Sequence, residues 1–486
     1  MARTIHDDGI ESNRICFQCI GDAYLKNEIK KTGQHRKCNY CGIPGRTYTL
    51  IQLADRVESA FDIHYDQTAD YPDEWQSRML ADPESAYEWE REGDDVITAL
   101  RDAASISEEI AKDVHEILEG RYSSQDAYFA GEETMFQSGS YFQRKTVRAY
   151  DWDKDWREFE EALKTKERYF SRTAANLLNR VFDGVAGMKT WNKKQIITEV
   201  GPGTTLSHFF RARVFQSEHE LSEALKYPEW QIGPPPAART AGGRMNAAGI
   251  AAFYGANVPE LAIAEVRPPV GSFVVVAKFD LLRSIRLLDL TAFQHIKAEG
   301  SVFDPAFAAY FEKLAFLSQL QQLMTRPVMP NDEVLEYLPT QAVADFLSVH
   351  PELNLDGIIY PSVQSKGTDF NCVLFHKCSR VKRIDIKAGT QIKATLRTYE
   401  EHQSYTSYEV TELIPADQEP TADEKEAARF ATMIPIIDGD KRTPALMIDL
   451  EAIHVHAVQS VQVNTTAHRV RRHQRPFLHE EDLYDY

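Results

Sequence analysis

RTAGGRMNAAGIAAFYGANVPELAIAEVRPP, residues 239–269, is the stretch from which the rest of the chain is interpreted. A Gly-Gly pair allows a tight backbone path just before Arg244. The apolar run at 250–254 predicts a short strand. Pro259 suits the first turn of a helix whose apolar face ends at Glu265. A buried carboxylate is costly unless it is paired or takes part in chemistry, so Glu265 is the first candidate functional residue.

Composition places the chain among globular proteins with several domains. Its 486 residues exceed one ordinary core, and two to four domains are expected. A net charge of −18 argues against nonspecific nucleic-acid binding, which depends on basic surface. The first residues are polar and resemble no signal peptide, and no run of about 18 apolar residues is present. We therefore expect a soluble, cytoplasmic protein without a membrane partner.

Four of the six cysteines follow a metal-binding spacing near the N-terminus. Cys16, Cys19, Cys38 and Cys41 form two CxxC pairs. This spacing predicts a four-thiolate zinc site, which is structural because four protein ligands leave no open position. Two surface thiol pairs or redox motifs are the alternative. A four-cysteine zinc-binding knuckle is expected at 1–48, with a scaffold role favoured over nucleic-acid or protein binding.

Periodicity divides the remainder into three regions. Residues 49–195 carry helical patterns, one approximating a single amphipathic face over 97–117 and a longer one over 156–181, and predict an all-α domain. Residues 196–395 alternate strands and helices, and residues 396–486 are a β-biased C-terminal extension and tail. In the predicted strand at 209–215, Arg211 and Arg213 share one face.

Five segments, in this order, resemble the pattern of the RES domain family. They are Phe210-Arg211, Gly242-Gly243-Arg244-Met245-Asn246, Phe253-Tyr254, Ala262-Ile263-Ala264-Glu265-Val266, and residues 356–362 with 371–375. The resemblance covers roughly 205–380. It implies an α+β fold whose catalytic domain has an ADP-ribosyltransferase-like, mixed and split β-sheet around a cleft for NAD. The best-known members are toxins that destroy NAD.

The resemblance also implies which residues bind and react. Arg211, Glu265 and Ser362 match catalytic positions, and Arg244, Asn246 and Tyr254 match substrate-binding positions. Some members carry a tyrosine directly after the first arginine, where this chain has Ala212. A purely structural alternative makes Arg211 a surface strand residue and pairs Glu265 with Arg267 or Arg244.

The N-terminal regions resemble the HEPN-like extension of long RES proteins. HEPN ribonucleases use an Arg and a His on one helix, with four to six residues between them. His64 and His115 have no Arg at that spacing, so a HEPN-like domain here lacks the nuclease signature.

Cleavage of the nicotinamide–ribose bond develops positive charge on the ribose. Glu265 suits an anion that stabilises this charge, and arginines suit the pyrophosphate. Tyr254 suits a ring against nicotinamide, and Ser362 suits a hydrogen bond to ribose or to the acceptor. The expected activity is NAD glycohydrolase or phosphorylase in a toxin or defence effector, with NAD as substrate and structural zinc.

Expected partners are inorganic phosphate, an antitoxin or trigger protein, and a second copy in a homo-oligomer. Two alternatives to this activity stay open. One is ADP-ribose transfer to a macromolecule. The other is a non-catalytic module that senses NAD or a related nucleotide and interacts through its zinc-dependent domain.

Overall fold

The computed structural model describes residues 10–82, 85–124, 129, 131–145, 149–297, 300–362, 368–400, 403–415, 440–462 and 465–473. Its strands, in chain order, are β1 Arg14–Cys16, β2 Gln34–Lys37, β3 Pro44–Thr49, β4 Tyr65–Gln67, β5 Asp94–Asp95, β6 Tyr141–Arg144, β7 Ile197–Val200, β8 His208–Phe215, β9 Phe253–Ala256, β10 Phe273–Leu281, β11 Ile285–Asp289, β12 Gly357–Pro361, β13 Phe370–Leu374, β14 Gln391–Glu400, β15 Gln403–Leu413 and β16 Leu446–Ala457.

The α-helices cover the predicted apolar stripes. They are Ala23–Thr32, Leu50–His64, Glu74–Ala81, Val96–Ala104, Glu108–Tyr122, Tyr150–Thr165, Arg172–Phe182, Glu218–Lys226, Pro228–Gln231, Pro259–Glu265, Pro305–Thr325, Glu333–Glu336 and Leu338–Val349. The single longer helix predicted over 156–181 is wrong, because residues 166–171 separate two helices. The single amphipathic helix predicted over 97–117 is wrong, because Ser105 adopts a left-handed backbone (φ 51°) and separates two helices. No helix among the described residues is long and apolar enough to cross a membrane.

Two compact units divide the chain. Unit 1 contains Met1–Glu199, Ala241–Ala248 and Arg286–Val363, and unit 2 contains Val200–Thr240, Gly249–Ile285 and Gln364–Tyr486. The division into four domains at 48, 195 and 395 stays a prediction.

Unit 1 is mainly helical around one large core. Aromatic residues such as Phe61, Phe136 and Phe142 are fully buried there and contact one another at 5.2–5.5 Å between ring centroids. Its strands form a three-stranded sheet in the order β1-β3-β2 and a second in the order β4-β6-β5, while β11 pairs with β12 in parallel.

The prediction of an all-α region between 49 and 195 is therefore wrong in one respect. β4, β5 and β6 form a small sheet inside it. These strands have two to four residues, too short to show an alternating pattern in the sequence.

Unit 2 is built on antiparallel strands in the order β16-β10-β8-β9-β13, and β14 and β15 form a separate hairpin. Successive side chains of β8 point to opposite faces of the sheet, and the residues that they contact show which face each one lies on. Ala212 packs in one apolar cluster with Ala256, Val276 and the helix Pro259–Glu265, so Arg211 points to the opposite side. The protein thus combines helices with strands that pair in both parallel and antiparallel senses.

Candidate active-site residues and a candidate metal centre

The four N-terminal cysteines converge in unit 1. Their sulfur atoms all lie within 4.8 Å of one another, with Sγ–Sγ separations of 3.7 Å for Cys16–Cys19, 3.5 Å for Cys16–Cys41 and 3.9 Å for Cys19–Cys38. A tetrahedral ion with metal–sulfur bonds of about 2.3 Å requires sulfur atoms about 3.8 Å apart. The donor set and spacing therefore fit a four-coordinate thiolate site.

Local backbone contacts hold these sulfur atoms in place. The amide of Cys16, at the end of β1, donates to the Cys38 sulfur at 3.4 Å, and the amide of Cys19 donates to the Cys16 carbonyl at 3.0 Å. Burial raises the pKa of Cys16 and of Cys19, while a backbone hydrogen bond at Ile43 lowers the pKa of the exposed Cys41 to about 7. A divalent cation would offset the burial of thiolates here.

In unit 2, Tyr254, Glu265 and Asn371 are brought to one face of the sheet. Tyr254 on β9 lies opposite Val373 on β13, and Asn371 lies opposite Ala256, so both side chains leave the same face. The Asn371 amide donates a hydrogen bond of 2.8 Å to a carboxylate oxygen of Glu265. Asn371 is 3% exposed, whereas Glu265 is exposed, so burial of the acid is not what marks it.

The helix that carries Glu265 is fixed on the same face. Leu261 and Ala262 are buried in the cluster that contains Ala212 and Ala256. Pro259 occupies the first turn, as its position in the sequence predicts. The carboxylate of Glu265 at the end of this helix is thus anchored by apolar packing behind it and by a buried amide beside it.

Arg211 does not share a face of the sheet with Tyr254 and Glu265. It leaves the opposite face of β8 from the helix Pro259–Glu265. Its guanidinium donates to the carbonyl oxygens of Ile232 and Tyr254, both at 2.8 Å, and lies 5.4 Å from the centroid of the Phe253 ring. Burial, with repulsion from Arg213 second, lowers the pKa of Arg211 to about 10. Its described contacts support the backbone on which Tyr254 is carried.

Arg244, Asn246 and Ser362 belong to unit 1. Arg244 donates to the carbonyl of Arg326 at 2.9 Å, and its guanidinium carbon lies 5.0 Å from the centroid of the Tyr337 ring. The buried Asn246 donates to the carbonyls of Ala241 and Ala247, both at 3.1 Å, and so stabilises the Gly-Gly-Arg turn. Ser362 follows β12 and is partly exposed.

Sequence reasoning did not select Asn371 as a site residue. Its signal was an amide at the start of an otherwise apolar strand, NCVLF. A polar side chain in such a position is buried and needs a partner, which here is the candidate acid.

Comparison with known proteins agrees with the segment pattern. Residues 209–397 match the family model described as the RES domain. No curated protein and no solved structure matches the chain. The match begins at β8 and contains Arg211, Arg244, Tyr254, Glu265 and Ser362. Residues 209–397 are therefore similar to the RES domain family.

Proposed function

We propose that the protein is an NAD-consuming enzyme that cleaves the bond between nicotinamide and ribose. The observation that carries this proposal is the juxtaposition of Tyr254, Glu265 and Asn371 on one face of a sheet within the RES domain. The RES domain is consistent with an NAD-related, toxin-type activity.

Glu265 supplies the central chemistry in this proposal. Departure of neutral nicotinamide leaves positive charge on the ribose, and a carboxylate stabilises that charge without any need for a strong general acid. Asn371 orients the carboxylate through its 2.8 Å hydrogen bond. An exposed acid accepts a hydrogen bond from a ribose hydroxyl without losing its own partner, because a carboxylate has several acceptor positions.

The remaining candidate residues are assigned by chemistry. Tyr254 offers a partly exposed ring for nicotinamide. Arg244 offers a guanidinium for pyrophosphate, and Ser362 offers a hydroxyl to ribose or to the acceptor. Arg211 is proposed as a positioning residue, because its hydrogen bond reaches the Tyr254 carbonyl. Asn246 is proposed to shape the turn that carries Arg244.

The acceptor in this proposal is water or inorganic phosphate, and the cellular role is that of a cytoplasmic toxin or defence effector. An antitoxin or trigger protein would restrain or release it. The four-cysteine site is proposed to hold structural zinc, since its donors and spacing fit that ion.

The direct test incubates the purified full-length chain with NAD, with and without inorganic phosphate, and measures nicotinamide. Release in both conditions identifies water as acceptor, and release only with phosphate identifies a phosphorylase. Nicotinamide release together with transfer of adenine label to protein or nucleic acid indicates ADP-ribosyl transfer instead. NAD binding without any product would leave only the sensing module.

The matched variants are Glu265→Ala and Glu260→Ala, which alter acids at the two ends of one helix. Glu265→Ala should reduce nicotinamide release at least about a hundredfold, since a transition-state electrostatic partner contributes of that order. Glu260, exposed in the first turn, should have no more than a small effect. Equal turnover in the two variants would move the acid elsewhere.

A further inference from the structure

A cavity with a volume of about 680 Å³ lies within unit 2. Its walls come from the helix Pro228–Gln231 and the prolines that follow it, from the segment after β13, and from residues 440–442. Residues 440–442 lie beyond the 209–397 match, so part of this cavity is formed by a segment outside the family domain. A volume of this size is in the range of pockets that hold small organic ligands.

The charge of the cavity is opposite to that of the chain. Four cationic side chains and two acidic ones line it: Arg380, Arg383, Lys441, Arg442, Glu229 and Asp440. Asp440 accepts hydrogen bonds of 2.8 and 2.6 Å from the Arg442 guanidinium, so these two charges match each other and three cationic side chains remain against Glu229. An excess of basic groups in a protein of net charge −18 favours an anionic ligand.

The fold holds the Arg442 side chain and the backbone that carries Arg380. Arg442 also donates to the hydroxyl of Ser379 at 2.9 Å, and Ser379 is 1% exposed. The amide of Ala445 donates to the carbonyl of Arg380 at 3.0 Å, which joins the two cationic segments. Preorganised cations bind an anion with less loss of side-chain entropy than freely moving ones.

Glu229 is a buried carboxyl that faces this cavity. It is 8% exposed, and its Oε2 atom has no hydrogen-bond partner among the described residues. A buried polar atom in this state carries a desolvation cost that a ligand donor would relieve. A ligand that carries a hydroxyl or amino group as well as an anionic group meets this requirement.

Part of the lining is apolar and aromatic. Trp230, which is 39% exposed, lies beneath the Arg383 guanidinium at 4.8 Å from ring centroid to guanidinium carbon. Pro234, Pro235 and Pro236 continue that part of the lining. Flat apolar surfaces of this kind pack against a planar ring.

We propose that this cavity binds a nucleoside phosphate. The phosphates lie against Lys441 and the neighbouring arginines, the base lies against the Trp230 and proline wall, and Glu229 accepts a hydrogen bond from a hydroxyl or amino group. The site is separate from the residues assigned above to NAD cleavage and does not depend on that assignment.

The experiment is calorimetric titration of the full-length chain with ADP, and separately with inorganic phosphate. Lys441→Glu places a negative charge at the cavity, and Lys393→Glu makes the same change on the exposed face of β14 as a control. Lys441→Glu should weaken ADP binding at least about tenfold, equivalent to about 1.4 kcal/mol, while Lys393→Glu leaves it within about twofold.

Glu229→Gln tests the nucleoside half of the ligand. It should weaken ADP binding several-fold and leave the weaker binding of inorganic phosphate unchanged, because only the nucleoside reaches this group. Three results would overturn the proposal. They are no ADP binding at millimolar concentration, equal effects of Lys441→Glu and Lys393→Glu, and full displacement of ADP by NAD with no effect of Lys441→Glu.

Discussion

Asp440 shows how a single surface charge is stabilised in unit 2. Its carboxylate receives two hydrogen bonds from the Arg442 guanidinium and one from the Arg442 amide. The hydrogen bond from the Arg442 side chain is the largest reason that the pKa of Asp440 falls to about 2. A folded-state pKa below the ordinary value means that the ionised carboxylate stabilises the fold.

The lowered pKa of Asp440 predicts how the stability of the fold depends on pH. Asp440→Asn should reduce the free energy of unfolding by about 1–2 kcal/mol at pH 7, a value reduced from the full pKa shift because the side chain is 28% exposed. The contribution is complete above the ordinary pKa of 3.8 and is lost as pH falls through about 2. Urea unfolding at pH 7 and pH 3 measures it, with Asp385→Asn at a 93% exposed carboxylate as control. A destabilisation by Asp440→Asn that is larger at pH 3 than at pH 7 would contradict a stabilising role for the ionised carboxylate.

At the residue scale, the sequence predicts some members of the candidate site but not how all of them are arranged. The glycine turn and the order of segments pointed to Tyr254 and Glu265, and the structure brings these to one face of the sheet with Asn371. Alternation along β8 predicts that Arg211 and Ala212 face opposite sides, yet only the helix packed on Ala212 shows which side belongs to Glu265. That information is tertiary, and no local pattern contains it.

At the level of elements, small side chains line the contact between the helix Pro259–Glu265 and the strands beneath it. Ala212, Ala256 and Ala262 are all buried in one cluster and allow the helix backbone close to the sheet. The alanine at 212, where some relatives carry a tyrosine, is therefore compatible with this packing.

Enlarging that position should disturb the packing. Ala212→Tyr should lower the free energy of unfolding by about 1–3 kcal/mol through overpacking, and by that route reduce activity that depends on Glu265. Ala212→Val adds far less volume and should have a smaller effect. Urea denaturation followed by circular dichroism compares the two. A tyrosine variant as stable as the parent would show that the cluster has room for a ring.

The type of an element was predictable where side chains alternate or repeat over many residues, but its boundaries were less so. The helix Pro305–Thr325 and strand β10 follow their apolar patterns closely. The break at Ser105 was not anticipated, because the apolar stripe continues across it from Val96–Ala104 into Glu108–Tyr122. A left-handed residue reverses the chain locally without changing which residues are apolar.

At the scale of the whole molecule, residues beside the cysteine site are part of the hydrophobic core that the helices of unit 1 share. Ile15 and Ile20, next to the first cysteine pair, are buried in the same cluster as Phe61 and Leu118. Loss of a bound ion at the cysteines is therefore expected to affect more than the N-terminal segment.

Metal analysis tests this. The purified chain should contain about one zinc ion, and Cys38→Ser should lose it together with part of the thermal stability, because structural zinc binding contributes folding free energy. Cys372→Ala, at a buried cysteine of β13, is the control and should retain the metal. Zinc retained in Cys38→Ser would show that the ion lies elsewhere, and absence of zinc from the parent would favour plain thiol pairs.

Expression in cells tests the proposed activity at the same scale. The parent chain should slow growth and lower cellular NAD, and Glu265→Ala should restore both at equal protein level. Arg211→Ala is a weaker test, because Arg211 supports the backbone at Ile232 and Tyr254, so its loss would restore growth by misfolding as well. Equal growth and NAD content in the parent and Glu265→Ala strains would contradict the proposal.

Strand β16 determines how far the chain can be shortened from its C-terminal side without exposing the edge of the sheet. It lies beyond residue 397 and pairs with β10 along nearly its whole length, from Phe273 opposite Ala457 to Leu281 opposite Leu446. A fragment that ends with the family match would leave one edge of a nine-residue, mostly buried strand with unpaired amides and carbonyls. Such an edge recruits a strand from another molecule, so a protein shortened to its recognisable domain is expected to aggregate, and the segment that must be kept for folding is longer than the family domain.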